Sequence, residues 1–295
     1  GSIDTKKVPT GIIAVLIVSA LVVIKAFAYF QSGSVSILTS LTDSILDSIV
    51  SMVDLYSIFY AQLPADEEHR WGHGKVEAVF AFVEAALIVG GAVFLLFESL
   101  NRFFSPKPIV DHELAIAVMG ASIILSLILV LIQRHTLKHS ESLAIEAENL
   151  NYSTDVVVNT GTVFVLVASW QGAPVWLDSL FAIAVAVFMV FMARALFIKA
   201  LDMLLDRELP DEERQAIIQV IENHEAVLGW HDLRTRRYGE FCDISFDIEV
   251  ESTLSLWNAH NIAKELEYAL VDIYPKSDVM IHIDPQGFTD DTRHR

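Results

Sequence analysis

The chain has 295 residues, is 53% hydrophobic with a mean hydropathy of +0.47, and carries a formal net charge of −18. Its apolar residues are gathered in blocks rather than spread, which indicates membrane spans. The acidic balance, concentrated after residue 200, excludes nucleic acid as a partner and suits cations. The single cysteine, Cys242, excludes an internal disulfide and points to a reducing compartment for its domain.

Gly1-Ser2, with no initiator methionine, is expected to be a cloning remnant, and the apolar run after Pro9 is too long for a signal-peptide core. Six blocks near or above the ~20 residues of a spanning helix follow: 11–30, 36–63, 76–103, 114–132, 143–170 and 175–198. Gly33, Pro64, Pro106, Pro108 and Pro174 mark the breaks. Lys6, Lys7, Arg70, Lys75, Arg134, Lys138, Arg194, Lys199 and Arg207 fall on one side of the spans, against Arg102 and Lys107 on the other. The positive-inside rule then predicts cytoplasmic termini.

The stretch Leu41-Thr-Asp43-Ser-Ile-Leu-Asp47 sets two carboxylates four residues apart in an apolar run, on one helix face about one turn apart. A carboxylate in a bilayer costs at least ~2.5–3.5 kcal/mol, so two on one stripe require a cation or a proton. Asn151-Tyr-Ser-Thr-Asp155 repeats the spacing, and two such helices can surround one ion with oxygen ligands. Hard oxygens favour Mn²⁺, Fe²⁺ or Mg²⁺ more than an imidazole-containing site would. Metal and protons compete for a cluster of this kind, which provides a coupling route for antiport. Asp54, Glu84 and Glu148 also lie in the blocks and are expected to face the bundle or water. Glu77, Glu98, Glu146 and Asp178, nearer the block ends, are expected to be interfacial or snorkelling groups.

Between the second and third blocks, Asp66-Glu-Glu-His69-Arg-Trp-Gly-His73 offers a ligand set suited to a first-row metal, although a polar membrane-face loop has the same composition. No HExxH arrangement is present, which excludes that metalloprotease chemistry. After Leu205 the pattern becomes that of a soluble domain: a helix from Pro210 to about Asn223, a strand over 228–237, strict alternation over 243–250, an amphipathic helix over 255–273 and a strand around 279–284. The order predicts a small α+β domain. The alternation turns Ile244, Phe246, Ile248 and Val250 inward and Asp243, Ser245, Asp247 and Glu249 outward. His231, Asp247, His260, His282 and Asp284 are candidate ligands that only the fold could bring together. The expected layout is an N-terminal tail (1–10), a membrane all-α six-helix bundle (11–205), the αββαβ domain (206–285) and a disordered tail (286–295).

Ser40-Leu-Thr-Asp-Ser with Asp47, Pro64-Ala-Asp-Glu-Glu-His-Arg-Trp-Gly-His-Gly-Lys75, Leu204-Leu-Asp-Arg-Glu208, His231-Asp-Leu-Arg-Thr-Arg236, Ala259-His260 and Ile281-His-Ile-Asp-Pro285 together resemble the cation diffusion facilitator family over nearly the whole chain. The resemblance implies a homodimer of six-span protomers in a bacterial inner membrane, V-shaped packing, a metallochaperone-like (ferredoxin-like) cytoplasmic domain, and metal/proton exchange by alternating access. It assigns Asp43, Asp47 and Asp155 to a transport site, Asp66, His69 and His73 to a loop site, and His231, His260, His282 and Asp284 to cytoplasmic sites. Lys75 and Asp206 match a charge interlock between the membrane and cytoplasmic halves. Two positions depart from zinc-transporting relatives, which have histidine where this chain has Asn151 and Asp247; both changes replace nitrogen by oxygen. An exported divalent metal (Mn²⁺ or Fe²⁺ favoured, Zn²⁺ also admitted) is thus expected as substrate and as structural or regulatory ligand. The alternative function is a membrane-anchored metal sensor or scaffold without transport; a hydrolase lacks a nucleophile–base pair.

Overall fold

A computed structural model describes residues 7–32, 35–104, 113–140, 142–171, 174 and 176–287. Lys6, Gly33, Pro106, Lys107, Pro108 and most of the tail expected over 286–295 lie outside the described residues, as do the side chains of Glu98, Arg102 and Asp178. The chain divides into two compact units, Gly1–Leu201 and Asp202–Arg295.

The first unit contains α1 (Lys7–Ser32), α2 (Val35–Ala61), α3 (Val76–Phe104), α4 (Glu113–Leu137), α5 (Leu143–Trp170) and most of α6 (Trp176–Leu204). At 1.5 Å per residue the shortest, 25 residues, is about 37 Å long, more than the ~30 Å hydrocarbon thickness of a bilayer. Among the described residues, five of the six are also apolar enough to cross a membrane, and α5 is not counted among those five. It carries Glu146, Glu148, Asn149, Asn151 and Asp155 along its first half, so the residues that make it chemically interesting are those that lower its hydropathy.

Ala14, Val18, Leu129, Val130 and Tyr152 form a buried cluster joining α1, α4 and α5. Helices α5 and α6 pass so closely at Gly161 that a Cβ there would lie 1.7 Å from Cζ of Phe181. Outward, Leu16, Phe27, Phe30, Phe94, Phe97 and Phe191 are exposed, an apolar surface that a bilayer would cover. Not all charged residues near the block ends are interfacial as expected. Glu77 is only 2% exposed, because Lys7 and Ser142 come to it from α1 and the start of α5.

The second unit contains α7 (Asp211–Glu222), β1 (Gly229–Tyr238), β2 (Phe241–Val250), α8 (Leu256–Ile273) and β3 (Ser277–Pro285). The sheet order is β1-β2-β3, with β1 antiparallel and β3 parallel to β2. Pro210 sits at the N-cap of α7 ahead of three acidic residues, which suit the positive end of a helix. The Ser255 hydroxyl accepts the Asn258 N–H at 3.2 Å and caps α8. The parallel β2–β3 pair cannot be joined by a tight hairpin, and α8 makes the crossover. Ile244, Phe246 and Ile248 bury one face of β2 against Ile217, Ile221, Leu266 and Leu270. The other face carries the polar residues described below.

Candidate metal centres

In the helix bundle, Asp43 and Asp47 lie on α2, and Asn151 and Asp155 on α5, at the expected one-turn spacing. Asn151 Nδ2 donates to Asp47 Oδ1 at 3.3 Å, which joins the two helices and leaves the amide oxygen free to accept or ligate. Asp47 and Asp155 are half-buried, while Asp43 is exposed. The carboxylates of Asp43, Asp47 and Asp155 do not all three lie within 4.8 Å of one another.

Lys25, on α1, was not among the expected site residues. It is buried, donates from Nζ to Ser44 Oγ at 2.7 Å and to the Ser40 carbonyl at 3.3 Å, and stands in the fields of Asp155, Asp47 and Asp43. A fixed cation beside three acids offsets part of their charge when no other ion is present. Its sequence signal was a lone lysine within an otherwise apolar block.

The polar stripes continue past this set. On α2, Ser51 Oγ donates to Glu148 Oε1 at 2.5 Å and lies 2.9 Å from the Tyr152 hydroxyl. Gln133 Nε2 of α4 donates to Glu148 Oε2 at 2.8 Å. Asp54 and Glu84 are buried beyond them, and Glu77 beyond those, with Ser142 Oγ donating to it at 2.6 Å.

In the loop between α2 and α3, Asp66, His69 and His73 form one of two groups, among the described residues, whose three donor atoms all lie within 4.8 Å of one another. Asp66 Oδ1 is 3.3 Å from His69 Nδ1, and Oδ2 is 3.3 Å from His73 Nε2. The His69 N–H and then the Glu68 N–H, at 2.6 and 3.0 Å, hold the Asp66 carboxyl below the usual carboxylate range. Gly72, at φ +79°, turns the chain so that His73 folds back under Tyr60, ring centroids 4.6 Å apart. The buried His73 Nδ1 has no hydrogen-bond partner. One carboxylate and two imidazoles suit a first-row divalent ion.

The second close group is His231, Asp247 and Asp284, one residue from each strand. Register explains it: His231 pairs with Asp247, and Asp247 with His282, while Asp284 is two residues on and so shares that face. His231 Nε2 is 3.7 Å from Asp247 Oδ2 and 3.6 Å from Asp284 Oδ2, and His282 Nε2 is 3.1 Å from Asp284 Oδ1. Asp247 lies on the polar face of β2, as the alternation predicts, but is only 5% exposed because the flanking strands' side chains cover it. Glu249 Oε1, 3.9 Å from His231 Nδ1, adds an acid absent from the expected set. His260 is exposed on α8, outside this group. Asp206, expected in a charge interlock with Lys75, has Arg236 Nη1 3.4 Å away. Cys242 is buried at the start of β2, and burial pushes its thiol up.

Comparison with known proteins covers both units. The cation efflux transmembrane domain matches residues 11–205, and the cytoplasmic domain of cation efflux proteins matches residues 209–286. The cation-efflux pump FieF of Yersinia pestis (strain Pestoides F) is 39% identical over 281 residues, 95% of this chain and 93% of the relative. FieF of Yersinia pseudotuberculosis serotype O:3 matches to the same extent. Among solved structures, the metal-bound C-terminal domain of the CzcD transporter from Thermotoga maritima is 28% identical, covers 28% of this chain and 100% of that one, and has a TM-score of 0.26. With both domains matched in order and the identity sustained along nearly the full length, the chain belongs to the cation diffusion facilitator family of cation efflux proteins.

Proposed function

We propose that this protein is a transporter that moves a divalent transition metal out of the cytoplasm in exchange for protons, with Asp43, Asp47, Asn151 and Asp155 as the transport ligands. The observation that carries this reading is the cross-helix contact of Asn151 with Asp47 beside a buried Lys25, in helices of 26–28 residues, long enough to span a bilayer. Acids placed at this depth are expensive and mark ion pathways rather than stability devices. The family supports cation efflux; the relatives named FieF are cation-efflux pumps.

In this reading, metal entering the set meets oxygen donors only, so Mn²⁺ or Fe²⁺ is favoured over Zn²⁺ relative to a histidine-bearing site. Carboxylates that release metal take up protons, and the helices alternate access between the two sides. The distribution of basic loop residues supports cytoplasmic termini for a protein of a bacterial inner membrane. Asp66, His69 and His73 form a loop site, and His231, Asp247 and Asp284, with His282 beside them, form a structural or regulatory metal site. His260 lies on α8, which packs against the opposite, apolar face of the sheet, and so stands outside that set within one protomer. The cytoplasmic unit, matched to the family's cytoplasmic domain, supports a homodimer.

The test is coupled flux. Purified protein in liposomes is given Mn²⁺ outside and a pH-sensitive dye inside, and metal entry and internal pH are followed together. Alkalinisation of the lumen in step with metal entry is expected. Metal entry with no proton movement overturns the antiport reading, and no entry of Mn²⁺, Fe²⁺ or Zn²⁺ overturns transport.

A further inference from the structure

Asp54 on α2 and Glu84 on α3 are 2% and 4% exposed, and their carboxyl groups face each other. Three of their four oxygens, Asp54 Oδ2 and both Glu84 oxygens, meet no donor from any other residue, and the two carboxyls hydrogen-bond each other only by sharing a proton. Neighbouring acids are better served: Glu77 has Lys7 and Ser142, and both oxygens of Glu148 accept, from Ser51 and Gln133. Glu148 and Glu77 nevertheless add their charge to the field at Asp54. Buried oxygens are normally satisfied, and buried anions are paired or bind metal. One shared proton would bridge two oxygens and leave the third bare. A hydrated divalent ion can serve all three, since Mg²⁺-like ions are held by one or two carboxylates and keep several waters.

Position supports the same conclusion. Asp54 is seven residues, about 10 Å, beyond Asp47 on the same face of α2, and Glu148 is seven residues before Asp155 on the same face of α5. Both steps run toward the loops 62–75 and 138–142. Asp47, Ser51, Glu148, Asp54, Glu84 and Glu77 thus form a polar seam from the proposed transport set to the end of the bundle.

We infer that Asp54 and Glu84 form a second cation site inside the helix bundle, which takes a hydrated hard divalent ion of the Mn²⁺ or Mg²⁺ class, with Glu148 as a further acid behind it. This rests on the transport reading only for where the ion goes next, and not for its binding.

The experiment counts Mn²⁺ bound per protomer, by electron paramagnetic resonance, on the full chain in nanodiscs. The background is Asp47→Ala, which removes the proposed transport set. Adding Asp54→Asn and Glu84→Gln, which keep side-chain shape, is expected to remove one Mn²⁺ per protomer and to leave the thermal transition in place. An unchanged count overturns the inference, because the pair then holds protons alone. Should the combined variant not fold, Asp54→Asn by itself reads the same loss. If the count falls while the parent moves no metal in liposomes, the site stands and the transport reading fails.

Discussion

In the helix bundle the proposed ligands come from two helices, are all oxygen, and share their surroundings with a lysine. On the sheet, one imidazole and two carboxylates come from three adjacent strands, and register alone brings them together. The two assemblies differ in what fixes them. Ladder hydrogen bonds lock the strands, so the distances among His231, Asp247 and Asp284 change little unless the sheet breaks. The α2 and α5 backbones are internally satisfied, and only side-chain contacts such as Asn151–Asp47 hold one helix to the other. A site between helices can open and close; a site on a sheet keeps its geometry.

The largest expected effect follows from exchanging the two sites' losses. Asp47→Ala should reduce Mn²⁺ flux in proteoliposomes to background while the cytoplasmic unit still binds metal. Asp247→Ala should weaken that unit's metal binding by at least about 100-fold, measured by calorimetry on the full chain, and leave most of the flux. Flux lost equally in both would mean that the sheet site is a step in transport, and the contrast would fail.

Of intermediate size is the effect of crowding the bundle without touching a ligand. Gly161→Ala puts a methyl into the Phe181 ring, so the ring must turn away or α5 must separate from α6, at a cost of about 1–3 kcal/mol. A lowered thermal transition of the full chain in detergent is expected, together with reduced flux because α5 carries Asn151 and Asp155. An unchanged transition would show that the helix contact is looser than described.

The smallest effect belongs to Cys242 on the rigid side. Its thiol is pushed up by burial, so at pH 8 the folded protein holds less thiolate than an ordinary cysteine with a pKa of about 8.5. Alkylation by iodoacetamide, followed by mass spectrometry, should be at least about 10-fold slower in the folded chain than in urea, with the gap narrowing as pH rises. Equal rates would indicate that the start of β2 frays.

Much of this was legible in the chain. Helix lengths follow from apolar runs, and the alternation over 243–250 gives β2 and its buried face because one side of a sheet must be dry. The one-turn spacing of Asp43/Asp47 and Asn151/Asp155 needs only helix geometry. What could not be read depends on how elements rotate against each other. Nothing in the spacing says that Glu77 meets Lys7 across 70 residues, that Lys25 points at the acids of α2 and α5, or that Asp54 faces Glu84. His231 and His260 looked equivalent as isolated histidines; only strand register places the first against Asp247, while the second stays exposed on α8.

The most direct test of the central claim is metal-selective flux into proteoliposomes across an imposed proton gradient, comparing Mn²⁺, Fe²⁺ and Zn²⁺ in the parent and in Asn151→His. Flux of Mn²⁺ or Fe²⁺ in the parent, with Zn²⁺ gaining in the histidine variant, is the predicted result. Equal Zn²⁺ flux in both would contradict it, because the oxygen at position 151 would then not set what the site carries.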